Sequence, residues 1–211
     1  MARSFPVYLF DVDGTLTDSA PDITGSVLEV LDRNGYPAQP VSLLRTYIGR
    51  HLIDLFQDVI PGIDGAGIDD LIAQYRAVYA ERGHVNTRAY DGVVEMLAAL
   101  PGRKGTATTK GTPTTRIVLE KFGLLGYFDH VQGTDGFPAK PAPDVIQRGL
   151  ETFGVRPEDV LFVGDSTSDM AAGRAAGVRV CAVRYGYGNH DEMQAYSPDF
   201  WISHPSELLS L

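Results

Sequence analysis

Asp11-Val12-Asp13-Gly14-Thr15 is the stretch on which the reading of this chain turns. It follows Val7-Tyr8-Leu9-Phe10, an apolar run without the alternation of a half-exposed strand, which predicts a buried parallel strand. Polar groups at the carboxyl end of such a strand are where open α/β sheets place their sites. Two carboxylates one residue apart repel each other, and a cation between them removes the repulsion. Gly14 permits the turn that follows. The same five residues also read as a solvated Asp-Gly turn, so the remainder of the chain has to decide.

Downstream of this stretch the pattern is helical as far as Gly83. Pro21 suits a first turn, Ile23, Val27, Leu28 and Leu31 share one face, and Asn34-Gly35 ends the helix. Leu43, Leu44, Tyr47 and Ile48 predict a second helix broken at Gly49. Leu52 to Val59 predicts a third, and Ile68, Leu71, Ile72, Tyr75 and Tyr79 a fourth. Four helices without an intervening strand read as a small helical domain. After a linker, 84–90, strands and helices alternate. Strands are expected at 104–108, 128–132, 160–163, around Cys181 and at 200–202, with helices at 92–100, 113–122, 143–153, through Met170 and Ala175, and at 205–209. Alternation of this kind implies a doubly wound, Rossmann-like parallel α/β sheet. The expected organisation is an α/β core of residues 1–15 and 91–211, with a helical cap domain, 16–90, inserted as a lid beside Asp11 and Asp13.

The chain has 211 residues, a formal net charge of −9 and no block of Lys or Arg, which argues against nucleic acid or an anionic membrane as partner. Arg3 and a four-residue apolar run before Asp11 make neither a secretory signal nor a membrane span. Cys181 is the only cysteine and lies in an apolar run, so it is expected to pack, with no internal disulfide. A cytoplasmic protein fits these features.

Three more polar clusters follow expected strands: Thr108-Thr109-Lys110, Lys140-Pro141-Ala142-Pro143-Asp144 and Gly164-Asp165-Ser166-Thr167-Ser168-Asp169. Parallel strands bring all four clusters to one sheet edge. Asp11, Asp13 and Asp165 offer hard oxygens to a magnesium ion, and a carboxylate can serve as nucleophile in phosphoryl transfer. Lys140 offers a point charge to a phosphoryl group, and Thr108 a hydroxyl near a helix start.

These four clusters, in this order, resemble the four motifs of the haloacid dehalogenase-like superfamily. The string from Asp11 to Asp22 is similar to its phosphoglycolate phosphatase-like branch. The resemblance spans essentially the whole chain. It implies that Asp11 is nucleophile and magnesium ligand, and that Asp13 is general acid/base and lends the metal its backbone carbonyl. It further implies that Thr108 and Lys140 hold the phosphoryl group with Thr109 beside them, that Asp165 binds Mg2+ and that Asp169 supports that site. Arg50 and His51, between two cap helices, become candidate specificity residues, a solvated helix start being the competing reading. The implied activity is magnesium-dependent hydrolysis of a small phosphorylated metabolite, 2-phosphoglycolate first among them, through an aspartyl-phosphate, by a monomer or homodimer.

Two departures stand out: the second strand is polar (Arg103-Lys104-Gly105-Thr106-Ala107), and Thr109 stands where that branch commonly has Asn. Rival readings are a sugar-phosphate mutase, a phosphonate-cleaving relative, a dehalogenase and a non-catalytic binding protein. Relatives of the first two kinds resemble one another in using a cap lysine, and none lies between Thr15 and Arg103. A carbon–halogen bond needs no acid at Asp13, and intact motifs argue against a binding protein. The remaining polar residues have plainer readings. His84, His130, His190 and His204 are expected at the surface or in packing, Tyr75 and Tyr79 in the cap core, and Asp54, Asp58, Asp69 and Asp70 on solvated helix faces. Tyr185-Gly186-Tyr187-Gly188 is expected to be a mobile loop near the site.

Overall fold

β1, Val7–Phe10, is buried along its whole length and lies between two parallel neighbours, β4 (Arg103–Thr106) and β5 (Val160–Gly164). The computed structural model describes residues 4–211, so Arg3 and the first three positions of the expected core segment lie outside the described residues. β6 (Arg179–Val183) and β7 (Phe200–Ile202) complete a five-stranded parallel sheet in the order β4-β1-β5-β6-β7. Helix α5 (Val93–Ala99) precedes β4, α6 (Thr112–Lys121) and α7 (Asp144–Phe153) follow in succession between β4 and β5, and α8 (Thr167–Ala176) connects β5 to β6. The chain passes from β1 to β4 on one side and then to β5 on the other. The carboxyl end of β1 therefore sits at the switch in strand order, where an open α/β sheet leaves a crevice.

The polar residues of β4 are compatible with its edge position. The Lys104 ammonium turns back to the Gly102 carbonyl (3.1 Å), and Arg103 lies over the Phe153 ring while donating to the Phe153 carbonyl (3.0 Å). Their stems cover apolar surface while their heads find carbonyls. The strand expected at 128–132 is not formed. Only Gly105 and His130 make a bridge, because the Thr106 hydroxyl takes both the N–H (2.8 Å) and the carbonyl (2.9 Å) of Gln132 in place of a backbone ladder. The helix expected at 205–209 is a 3-10 turn, Pro205–Ser210, and a short α9, His190–Gln194, capped by Asn189, was not foreseen.

Between β1 and α5 lie four helices, α1 (Ala20–Arg33), α2 (Val41–Arg45), α3 (Leu52–Val59) and α4 (Gly65–Glu81). They bury an apolar cluster of their own, including Val27, Leu31, Leu44, Phe56 and Leu71, separate from the clusters on the two faces of the sheet. The two segments that join them to the core pair with each other: β2 (Thr17–Asp18) runs antiparallel to β3 (Arg88–Ala89) within the expected linker.

Asp22 locks this junction. It is fully buried in the first turn of α1 and accepts hydrogen bonds from Asn86 N (2.9 Å), Asn86 Nδ2 (3.0 Å) and Thr87 Oγ1 (2.7 Å). Burial works to raise its pKa, but the bonds from Thr87 and Asn86 outweigh it and hold the carboxyl below its ordinary value. A depressed folded pKa contributes stability that is present above the unfolded value of about 3.9 and is lost as pH falls through the folded value. Asp22→Asn is therefore expected to cost about 1–3 kcal/mol at pH 7 in urea unfolding, leaving donors without an ionised acceptor. The difference from wild type should narrow as pH drops below about 4, where the carboxyl of the unfolded chain takes up a proton before the native one does. A difference independent of pH would assign the loss to packing instead of charge.

Candidate active site

Asp11 extends β1 by donating its N–H to the Val163 carbonyl (2.9 Å), and the chain then folds into a tight turn in which Thr15, Leu16 and Thr17 all donate to the Val12 carbonyl. Gly14 adopts φ +88° in that turn, and a Cβ there would collide with the Asp165 carboxylate. The turn points the Asp13 carboxylate between Ser19 Oγ (2.6 Å) and Lys110 Nζ (3.1 Å). The end of β4 delivers Thr108, fully enclosed, whose hydroxyl accepts from Lys110 N (3.3 Å).

Lys140 arrives from the loop before α7 and is enclosed completely. Its ammonium donates to Asp11 Oδ1 (2.9 Å), the Ala107 carbonyl (3.0 Å) and Asp169 Oδ1 (2.5 Å). Asp169 in turn belongs to α8, where it forms a capping box with Ser166: its Oδ2 accepts from Ser166 N and Oγ, while Ser166 Oγ accepts from Asp169 N. Asp165 ends β5, and its two oxygens accept from Thr15 Oγ1 (3.0 Å) and Tyr187 N (2.8 Å). The structure thus brings Asp11, Asp13, Thr108, Lys140, Asp165 and Asp169 together at one sheet edge.

Four carboxylates, Asp11, Asp13, Asp165 and Asp169, face two ammonium groups, Lys140 and Lys110, which leaves two negative charges in excess. Burial pushes the Asp11 carboxyl up to about 6 against the pull of Lys140. Burial, with Asp169 and Asp11 nearby, holds Asp165 well above the ordinary carboxylate range. Burial also opposes the charge on Lys140, but Asp11 and Asp169 outweigh it and keep its pKa raised. Oxygens of Asp11, Asp165 and Asp169 lie within 4.8 Å of one another. An all-oxygen donor set with an excess of two negative charges fits a hard divalent cation. All three carboxylates already accept hydrogen bonds, Asp169 from Lys140 and Ser166, Asp11 from Lys140 and Asp165 from Thr15 and Tyr187.

The other expected site residues lie on the walls of a cavity of about 650 Å³ between the sheet edge and the helices. Thr109 donates its hydroxyl to the Gly49 carbonyl (3.2 Å) and so ties the helical segment to the core. His51 caps α3 through Nδ1, accepting from Ile53 N (3.2 Å). Arg50 lies over the Tyr47 ring and beside Asp54 (3.7 Å).

Several residues escape the motif reading. Lys110 pairs with Asp13 and donates to the hydroxyl of Tyr79 (3.0 Å), whose ring stacks on Tyr75 as helical spacing suggests. Loop 185–188 is not a free loop. Tyr187 donates its N–H to Asp165, and its hydroxyl accepts from Ser19 N (2.7 Å) and Ala20 N (3.0 Å) while donating to Asp18 (3.0 Å). Side chains at Gly186 or Gly188 would collide with Asp165. The two glycines one residue apart were the available signal, and they mark close backbone approach.

Residues 8–183 match the family model of the haloacid dehalogenase-like hydrolases. Phosphoglycolate phosphatase of Nitrosospira multiformis is 37% identical over 188 residues, covering 85% of this chain and 83% of that protein. A 5'-nucleotidase of Pseudomonas aeruginosa is 33% identical over 207 residues, covering 96% and 93%. Among solved structures, a haloacid dehalogenase-like family hydrolase from Streptococcus pneumoniae superposes with a TM-score of 0.89 at 25% identity, covering 97% of each chain. The chain belongs to the haloacid dehalogenase-like hydrolases and, within them, to the phosphatases.

Proposed function

We propose that this phosphatase hydrolyses the phosphomonoester of a small phosphorylated metabolite, 2-phosphoglycolate first among the candidates, with Mg2+ bound by Asp11 and Asp165 and by the backbone carbonyl of Asp13. The observation that carries the proposal is the Lys140 ammonium, 2.9 Å from Asp11 and 2.5 Å from Asp169, beside a third carboxylate, Asp165, that has no ion-pair partner among the described residues. The helical segment serves as the cap over the site. No helix among the described residues is long and apolar enough to cross a membrane, and we place the enzyme in the cytoplasm as a monomer or homodimer.

When bound, the metal neutralises charge on the phosphoryl oxygens. An Asp11 oxygen attacks phosphorus and the bond to the leaving oxygen breaks. The departing electron pair takes a proton from the Asp13 carboxyl, giving the alcohol and an aspartyl-phosphate on Asp11. Lys140 and Thr108 hold the phosphoryl oxygens in place through this exchange. The Asp13 carboxylate then removes a proton from water as it attacks phosphorus, the Asp11–phosphorus bond breaks, and inorganic phosphate leaves with both carboxyl groups restored. A second substrate reading, a nucleoside monophosphate, is favoured by the 650 Å³ cavity, which is roomy for a two-carbon acid, and by the 33% identity to the Pseudomonas nucleotidase. Turnover measured across a panel of phosphorylated acids and nucleotides separates the two.

Asp11→Asn should keep its fold, lose steady-state turnover by at least about 1,000-fold and trap no acid-stable phosphoprotein on quenching with labelled substrate. Turnover within a few-fold of wild type would remove the nucleophile assignment. For the metal, millimolar Mg2+ should raise the melting temperature of wild type and not that of Asp165→Asn, and chelator should abolish turnover. Full activity in metal-free buffer, or an equal thermal shift in both proteins, would refute the metal assignment.

A further inference from the structure

In the reaction proposed above, the leaving oxygen faces Asp13, and the cation paired with Asp13 is Lys110, at 3.1 Å from Oδ2. The Lys110 side chain is only 9% exposed, and its ammonium is fixed from the other side by the Tyr79 hydroxyl (3.0 Å) and ring (4.4 Å to the centroid). Withdrawing an ammonium from water is unfavourable unless its partners compensate. Holding Asp13 alone does not require it, because Ser19 already donates to the other Asp13 oxygen at 2.6 Å. Beside the same tyrosine stands His84, which also lines the cavity. It is 3% exposed, meets the Tyr79 ring edge-on at 4.7 Å, and its Nδ1 has no hydrogen-bond partner among the described residues. An unpaired buried polar atom is a cost that a polar ligand group removes.

We infer that Lys110, held by Tyr79, recognises a second anionic group of the substrate, a carboxylate carried within about two bonds of the scissile oxygen. This rests on the phosphatase reading and names the residue that selects its substrate class. In a two-carbon phosphorylated acid the carboxylate carbon is two bonds beyond the leaving oxygen. When that oxygen engages Asp13, the carboxylate comes within hydrogen-bond reach of the ammonium beside Asp13. The helical segment has no lysine between Thr15 and Arg103, so the ammonium on this side of the site comes from the core. Arg50 is the competing cation, but its side chain is 41% exposed, lies over Tyr47 and is paired with Asp54, so solvent and existing partners weaken its pull.

The test compares kcat/KM for 2-phosphoglycolate with kcat/KM for 4-nitrophenyl phosphate in wild type, Lys110→Met, Tyr79→Phe and Arg50→Ala. Lys110→Met should lower the acid-to-aryl ratio by about 10- to 150-fold, chiefly through KM, the range expected for a hydrogen bond to a charged group. Tyr79→Phe should lower it about 2- to 10-fold, and Arg50→Ala should lose both substrates alike. Inhibition of aryl-phosphate hydrolysis by 3-phosphonopropionate relative to propylphosphonate reads the same preference without turnover of the acid. Should Lys110→Met fail to fold, this inhibitor pair in wild type and Tyr79→Phe decides, and an unchanged preference in Tyr79→Phe overturns the inference. Equal loss on both substrates in Lys110→Met, with wild type preferring the acid, overturns the role of Lys110 and leaves the phosphatase reading standing. Selective loss in Arg50→Ala with none in Lys110→Met does the same. A wild type that hydrolyses the aryl phosphate without preference for the acid overturns the inference together with the phosphoglycolate assignment. Failure to hydrolyse either substrate with Mg2+ present removes the phosphatase reading itself.

Discussion

The site depends on how one enclosed ammonium group is satisfied. An ammonium has three protons to donate and accepts nothing, and Lys140 has three acceptors in reach: Asp11, Asp169 and the Ala107 carbonyl. Those acceptors come from the ends of β1 and β4 and from the first turn of α8. The same contact that makes the lysine tolerable inside the protein therefore fixes three independent pieces of backbone relative to one another. Asp169 is fixed a second time by its capping box with Ser166, so the cradle is rigid before any substrate arrives. Preorganisation of this kind lets fixed charges act on a phosphoryl group without rearranging during the reaction.

Much of this was legible in the chain, for physical reasons. β1 and β5 are covered on both faces, which removes polar residues from them and makes each end abrupt: Phe10 gives way to Asp11, and Val163 to Gly164-Asp165. The polar residues after those ends carry the chemistry, so fold and candidate site share one signal. Where side chains replace backbone in the bonding, the signal fades. Thr106 substitutes for a strand ladder at Gln132, and nothing in the apolar pattern of 128–132 records it. Lys110 follows a motif threonine but acquires its place only from Asp13 and Tyr79, distant in the chain. The two-residue pairing of β2 with β3 is too short to leave a period at all.

The cavity shows a division of labour between the two layers that enclose it. The sheet edge contributes the carboxylates Asp11 and Asp13 and the Lys110 ammonium, while the helical segment contributes mainly aliphatic and tyrosine surface together with Arg50 and Arg76, with Gly49 passing close over Ser166 and held by Thr109. Gly49 adopts φ +90°, and a side chain there would press on Ser166, the residue that caps α8. At this point the helical segment meets the core through backbone, whereas beside Asp13 it meets the core through the Tyr79 side chain on Lys110.

Loop 185–188 has a consequence for the inserted helices as a transferable part. Ser19, the residue that opens α1, makes no capping bond with its own side chain. Its N–H and that of Ala20 are satisfied instead by the hydroxyl of Tyr187, whose own N–H steadies Asp165. The helical insertion is therefore not self-contained, because its first turn is finished by a residue from the far end of the chain. Helices grafted here from a relative would start correctly only if the graft met a tyrosine at that loop. A change in the loop, equally, would reach both the opening of α1 and the carboxylate at the end of β5. Insert and core are coupled at this point, even though each buries an apolar interior of its own.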